Sequence, residues 1–261
     1  MILDTLSNFD YHADHSISKS GLDLMARSPA HYKYSAPREA TRAMEIGTAI
    51  HTAVLEPHRF QDEYIIIDTE DRRTSVYKEC VKVHGSERVL TSKENDKVVG
   101  MKEAVLANIH AQRLLTDSDS RKELSVFTKD PETGVMVKCR FDLIVGNKSL
   151  DVKKTQDARP EAFAKSVAQY RYHVQAAFYS DVWFWETGEK LEAFGFLAVE
   201  EEAPHGTAIY VLDDDALDYG RRLYRRDLNL YAECFDKQEW PGLDGSPSIL
   251  SLPAWAMKEV A

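Results

Sequence analysis

Cysteine is scarce in this chain: Cys80, Cys139 and Cys234 are the whole set among 261 residues. Three scattered thiols are neither a disulfide framework nor a ligand set for zinc or an iron–sulfur cluster, so free cysteines are expected. Long hydrophobic runs are missing too, and no apolar stretch comes near the roughly 20 residues that span a bilayer. The opening Met1–Asp10 lacks the basic and then apolar pattern of a secretory signal. These absences lead us to expect a cytoplasmic protein with no membrane contact. Positive charge is in deficit as well. Lys and Arg number 33 against 43 Asp and Glu, for a net charge of -10. That balance argues against a protein that simply coats nucleic acid, because phosphate binding calls for Lys and Arg. It leaves room for an enzyme that reaches such a polymer through metal ions and local basic patches. Internal repeats, low-complexity tracts and long flexible linkers are absent.

What is present is an ordinary globular balance, 43% hydrophobic and 29% charged residues. A chain this long buries most of its surface around a core. We expect one domain over residues 1–261 with a helical N-terminal part, 1–60. In that part Ser18 or Ser20 caps a helix over Gly21–Arg27, and Ser28-Pro29 opens another with proline at its first position. Arg42–Leu55 carries Ile46, Ala49, Ile50, Ala53 and Val54 on one stripe, and Pro57 follows it. Tyr64–Ile67 is a short β-rich run. Thr91 and Glu94 form a capping box that opens a helix to about Leu114, with Val98, Met101, Val105 and Ile109 inward. Leu124–Thr128 and Val135–Val145 read as strands around the turn Asp130–Gly134, and Ser149–Lys153 follows a Gly146-Asn147 turn. Helices over Pro160–Ala168 and Tyr172–Trp185, strands over Leu191–Val199 and Thr207–Leu212, and a helix over Asp214–Phe235 come next. Residues 241–261, with three prolines, read as an irregular tail. Helices, a β meander, then helix, strands and helix predict an α/β sandwich.

In a strand, residues two apart point to one face. Asp151 and Lys153 therefore project together, with Leu150 and Val152 on the other side. In the preceding strand Val137, Cys139 and Phe141 share one face, and Lys138, Arg140 and Asp142 share the other. Pairing around the Gly146-Asn147 turn brings Asp142 toward Asp151. Two carboxylates that close repel unless a cation lies between them or one is protonated. Oxygen ligands of this kind suit Mg²⁺ or Mn²⁺, and a lysine beside them offsets phosphate charge and orients a water. Taken alone, an Asp and a Lys two apart are equally what a solvated strand face carries. His51 lies at the edge of the Arg42–Leu55 stripe, with room beside it at Gly47, and is a further candidate ligand. Gln175 and Tyr179, four apart on a helix, share a face and could hold a phosphate, a water or the lysine.

In order, Gly47-Thr48-Ala49-Ile50-His51, Cys139-Arg140-Phe141-Asp142, Asp151-Val152-Lys153-Lys154-Thr155 and the stretch Tyr170 to Tyr179 resemble the PD-(D/E)XK nuclease superfamily. They are most similar to the RecE-type (exonuclease VIII) nuclease domain. The likeness also takes in Asp10-Tyr11-His12, Ile17-Ser18-Lys19-Ser20, Arg72-Arg73-Thr74, Glu239-Trp240-Pro241 and Leu250-Ser251-Leu252-Pro253. The proline of the superfamily's name is replaced by Phe141.

The resemblance implies an α/β, restriction-endonuclease-like core, a mixed central sheet flanked by helices, with its catalytic part in 120–240. His51, Asp142, Asp151 and the carbonyl of Val152 would bind Mg²⁺, with Mn²⁺ substituting and no iron–sulfur cluster. Lys153 would position and activate the attacking water, supported by Gln175 and Tyr179. It further implies an exodeoxyribonuclease that digests linear double-stranded DNA from 5′ to 3′. The 3′ tails it leaves would serve phage-type recombination beside a RecT-like single-strand annealing protein. A homo-oligomeric ring, a tetramer by the same likeness, would offer DNA a lined channel in spite of the acidic chain. Ser18 and Ser20 at a helix start, and Arg72 and Arg73 in a loop, are candidate phosphate contacts. Arg221, Arg222, Arg225 and Arg226 share a helix face, where pairing with Asp213, Asp214, Asp215, Asp218 and Asp227 is the expected role. The alternatives are a catalytically silent DNA-binding or scaffold protein with this fold, and an endonuclease or single-strand nuclease.

Overall fold

The computed structural model describes residues 1–36 and 39–252; Pro253 and the rest of the expected tail lie outside the described residues. β1 (Ile2–Leu3) and α1 (Asn8–Ala13) open the chain, followed by α2 (Lys19–Arg27), α3 (Pro29–Lys33), α4 (Arg42–Leu55) and α5 (Pro57–Glu63). A short parallel pair, β2 (Ile65–Ile67) and β3 (Val89–Thr91), brackets α6 (Ser75–His84). Then come α7 (Ser92–Ala107), α8 (Ile109–Leu115), β4 (Arg121–Lys129), β5 (Met136–Val145) and β6 (Lys148–Thr155). The last elements are α9 (Pro160–Gln169), α10 (Tyr172–Thr187), β7 (Ala193–Glu200), β8 (Thr207–Val211) and α11 (Asp214–Lys237).

The main sheet has the order β1-β4-β5-β6-β7-β8. Among its described strand pairs only β6–β7 is parallel, so the sheet is mixed, as the resemblance implied. One face packs on α2, α9, α10 and α11 through Leu22, Met25, Phe163, Phe178, Tyr224 and Leu228. The other packs on α4, α7 and α8 through Ile50, Val54, Val98, Met101 and Leu115. The α4 stripe is buried along its whole length, which is why its bounds were readable from periodicity alone. The Thr91–Glu94 capping box forms. The helix it opens does not run on to Leu114: Asn108 interrupts it and caps α8, its Oδ1 accepting from the His110 and Ala111 N–H groups at 3.2 Å. An Asn side chain competes with the helix for backbone donors, and here it wins. β1, α1, α5, α6 and β3 were not anticipated. Residues 241–252 form neither helix nor strand, in line with the expected tail.

Three close contacts set α10 and α11 beside the sheet. A Cβ on Gly220 would come within 2.2 Å of the His173 carbonyl oxygen, so only glycine lets α11 approach α10 this closely. Asp227, 1% exposed, accepts from Arg171 at 2.5 Å and from Arg226 at 2.6 Å. Arg225 reaches across to Asp130 in the β4–β5 turn at 2.8 Å. Of the expected pairings on α11, Arg221 with Asp218 and Arg226 with Asp227 form. The partners Asp181 of Arg221 and Asp130 of Arg225 come instead from distant parts of the chain, while Arg222 lies over the Tyr219 ring. Helix spacing reveals only neighbours on the same helix, so these distant partners had no local signal.

Asp130→Ala leaves the Arg225 charge without its buried partner. We expect a loss of about 3 kcal/mol of stability at pH 7 in urea unfolding. Burial pushes the Asp130 carboxyl up, but hydrogen bonds from Thr133 and Arg225 outweigh it and hold it below the ordinary value. A carboxyl lowered in the folded state stabilises above its unfolded pKa and loses that contribution as pH falls through the folded value. The difference between wild type and variant should therefore shrink below about pH 4.

Candidate active site

The chemistry-bearing residues meet where a hydrogen-bond ladder stops. β5 and β6 pair at Leu143–Leu150, Ile144–Ser149 and Val145–Lys148, and no further. Asp142 and Asp151 each lie one residue beyond the last pair, on strands that now diverge. The Val152 N–H, with no β5 carbonyl opposite, donates instead to Asp142 Oδ2 at 2.7 Å. The side-chain alternation of β5 also slips here. Phe141 packs in the cluster beside α10, whereas Leu143 packs in the cluster beside α4. On the neighbouring strand Glu123 adopts a left-handed backbone (φ 51°), and the β4–β5 register skips the position that would join it to Asp142.

The site draws on both helical layers. From α4, His51 Nδ1 comes within 3.3 Å of Asp142 Oδ2. The space beside Gly47 is open, as expected, since a Cβ there would meet nothing within 4 Å. From β6, Asp151 and Lys153 share the α10 face, and the Lys153 ammonium meets Asp151 Oδ2 at 2.5 Å. From α10, Gln175 Nε2 donates to Asp151 Oδ1 at 2.6 Å. The Tyr172 ring lies 4.8 Å from Lys153 Nζ, a cation–π seat absent from the expected set. Tyr179 packs its ring edge against Phe141 and Phe194, one layer below Gln175.

Glu123 is the addition the sequence reading missed. His51, Glu123 and Asp142 each offer one ligand atom, all within 4.8 Å of one another. A signal existed: Lys129 pairs with Met136 at the turn, and the same register counted back places Glu123 opposite Asp142. The donor set fits a divalent ion. Its carboxylate oxygens suit Mg²⁺ or Mn²⁺, and its imidazole is a ligand more usual for softer divalent ions. Asp151 Oδ2 is buried and, among the described residues, its close partner is the Lys153 ammonium. Of Val152, the structure shows the N–H in use. Burial, and then the Asp151 charge, push the Asp142 carboxyl well above the ordinary range. Burial and the Asp142 charge do the same to Glu123. Burial opposes the Lys153 ammonium, but Asp151 and Asp142 outweigh it and the net direction is up.

The candidate phosphate contacts lie apart from this cluster in the chain. The Ser18 and Ser20 hydroxyls hydrogen-bond each other at 2.9 Å, and Ser18, at the N-cap of α2, makes no side-chain cap bond. Arg73 is held by Asp71 within its own turn at 2.7 Å. Arg72 is looser, 3.8 Å from Glu94, in a cleft shared with Arg42, Lys93 and Lys97.

A carboxyl raised in the folded state makes the metal-free fold less stable as pH climbs from the unfolded to the folded pKa. Asp142→Asn keeps an oxygen for the Val152 N–H and removes one crowded charge. We expect the metal-free variant to melt above wild type at pH 8, with the gap closing at pH 4. Mg²⁺ should raise the melting temperature of wild type and not of the variant; a thermal shift series at both pH values checks this.

Comparison with known proteins places the fold. Residues 15–250 match the family described as a PDDEXK-like domain of unknown function (DUF3799). A crystal structure of a provisionally named exonuclease from Eubacterium rectale superposes with a TM-score of 0.66, covering 98% of each chain at 13% identity, and so shares the fold. The crystal structure of SSO0001 gives a TM-score of only 0.31 at 16% identity, over 80% of this chain and 85% of that one. No curated protein matches the sequence. With a family match over most of its length and the fold in agreement, this chain belongs to the PDDEXK-like DUF3799 family of the PD-(D/E)XK nuclease superfamily.

Proposed function

We propose that this protein is a Mg²⁺-dependent exodeoxyribonuclease acting on linear double-stranded DNA. The observation that carries the reading is the convergence of His51, Glu123, Asp142, Asp151 and Lys153 at the end of the β5–β6 ladder. A divalent ion held there supplies Lewis-acid stabilisation of the charge that develops on a phosphate in hydrolysis. His51, Glu123, Asp142 and Asp151 are the residues to hold it. Lys153 is an ammonium against Asp151, so it offers protons and no lone pair. Its part is to orient the attacking water and to donate to a phosphate oxygen as negative charge grows. Gln175 fixes the Asp151 carboxylate, and the Tyr172 ring supports the lysine. Tyr179 acts through packing beneath Gln175. Ser18, Ser20 and Arg72 are the proposed phosphate contacts by residue type and by position at a helix start and in a loop; Arg73 joins them only by leaving Asp71.

The likeness of the ordered motifs to RecE-type nucleases supports the finer points. These are digestion from 5′ to 3′, 3′ tails for recombination by annealing, a RecT-like annealing partner, a tetrameric ring and a cytoplasmic place of work. The provisional name of the Eubacterium rectale structure supports the exonuclease reading and none of these finer points.

Incubation with linear and with closed circular duplex, in Mg²⁺ or in EDTA, tests the reading. Loss of the linear form alone, and only with Mg²⁺, is expected. Cutting of the circle would make the protein an endonuclease, and binding without any cutting would make it a silent member of the family. Asp151→Ala and Lys153→Ala should each reduce turnover by roughly a hundredfold or more with the fold intact by circular dichroism. Duplexes labelled at the 5′ or the 3′ end report the direction.

A further inference from the structure

Tyr170 and Tyr172 flank Arg171 at the start of α10, and their rings stack at 5.7 Å with 29° between planes. The left-handed backbone at Arg171 (φ 56°) bends the chain between α9 and α10 and brings the two rings into contact. Such a conformation is costly for a side chain other than glycine. Here Asp227 at 2.5 Å and Asp23 at 3.4 Å hold the Arg171 guanidinium in place. Lys19 secures the preceding residue, donating to the Tyr170 carbonyl at 2.7 Å. The tyrosine pair is thus pinned from α2 and α11.

The two rings differ in surroundings. Tyr172 is the inner one, between Phe196, stacked at 5.5 Å, and the Lys153 ammonium. Tyr170 is the outer one. It is 53% exposed, and among the described residues it stacks on no ring but Tyr172. Both line a cleft of about 420 Å³ with the cations Lys19, Lys153 and Arg171, one acid, Asp23, and the amides Gln169 and Gln175, so the exposed ring opens onto the same space as the proposed catalytic lysine. An aromatic face beside several cations, in an otherwise acidic chain, is the combination that binds a single nucleic-acid strand: charge tracks the backbone and the ring receives a base.

We propose that Tyr170 is a stacking platform for an unpaired nucleobase of the DNA strand entering the site. This rests on the nuclease reading and deepens it. A base inside a duplex has both faces covered and a terminal base has one, so a base lifted from the stack offers this lone exposed ring the freest face. Lys19, paired with Asp23 at 2.7 Å, and Lys153, paired with Asp151 at 2.5 Å, are the cations the adjoining backbone meets.

The test reads binding without turnover. The full-length protein is titrated into a fluorescently labelled short single-stranded oligonucleotide with Ca²⁺ in place of Mg²⁺, and anisotropy is followed. Tyr170→Phe and Tyr170→Trp keep a ring and should bind within about twofold of wild type. Tyr170→Leu keeps apolar bulk but no π face, and should bind about tenfold or more weakly, in line with the loss of one stacked base. Leucine binding as tightly as wild type would overturn the platform, as would a wild type that does not bind the strand. Wild-type cleavage in Mg²⁺ is scored separately. Cleavage with no effect of Tyr170→Leu sinks the platform alone, whereas ring-dependent binding with no cleavage sinks the nuclease reading and leaves the platform standing.

Discussion

The hydrogen bond from the Val152 N–H to Asp142 Oδ2 is the contact on which the site depends. A buried backbone donor needs an acceptor, and where β5 and β6 separate the strand carbonyl is no longer there. Asp142 takes its place. That substitution anchors a carboxylate in the interior, one residue beyond the last paired rung, and so turns the end of a β-ladder into a place for charge. The divergence opens the gap, and the side chain closes the backbone account. Either alone would leave an unsatisfied group at the heart of the sheet.

The surrounding layers answer that buried charge from two sides. The α4 layer contributes His51, and the turned backbone of β4 contributes Glu123. The α10 layer contributes Gln175, which holds Asp151, and Tyr172, which seats Lys153. α10 in turn is held by the backbone-to-backbone approach at Gly220 and by the Asp227 pairs from α11. Without a cation, burial and then a neighbouring carboxylate charge push the Asp142 and Glu123 carboxyls up, a local conflict of the kind sequences tolerate where function requires it. For the proposed phosphate substrate the acidity of the chain as a whole would matter less than this arrangement, because local groups set the potential there.

Much of the fold could be read in the sequence. The period of α4, the Thr91–Glu94 box and the strand pair around Asp130–Gly134 are local patterns, and local patterns are visible in a string of residues. The shared face of Asp151 and Lys153 followed from strand alternation, and the ordered motifs resembled the superfamily that the family match then showed. The misses have physical reasons. β1 and β3 are two and three residues long and owe their existence to partners far along the chain. α6 buries only Tyr77, so it lacks an apolar stripe to announce it. Glu123 became a site residue through register across a hairpin and a left-handed turn of its backbone. Its one-dimensional neighbourhood, Lys122 and Leu124, says nothing of Asp142. Tyr172 was part of a quoted motif, yet its contact with Lys153 crosses from a helix to a strand and had no sequence signature.

The central claim is that the end of the β5–β6 ladder is a divalent-metal site, and crystals grown with Mn²⁺ test it most directly. An anomalous difference map should place manganese in contact with Asp142, and with His51, Glu123 or Asp151 beside it. A map that leaves these four side chains empty at saturating Mn²⁺, or that places the ion elsewhere on the protein, would contradict the account.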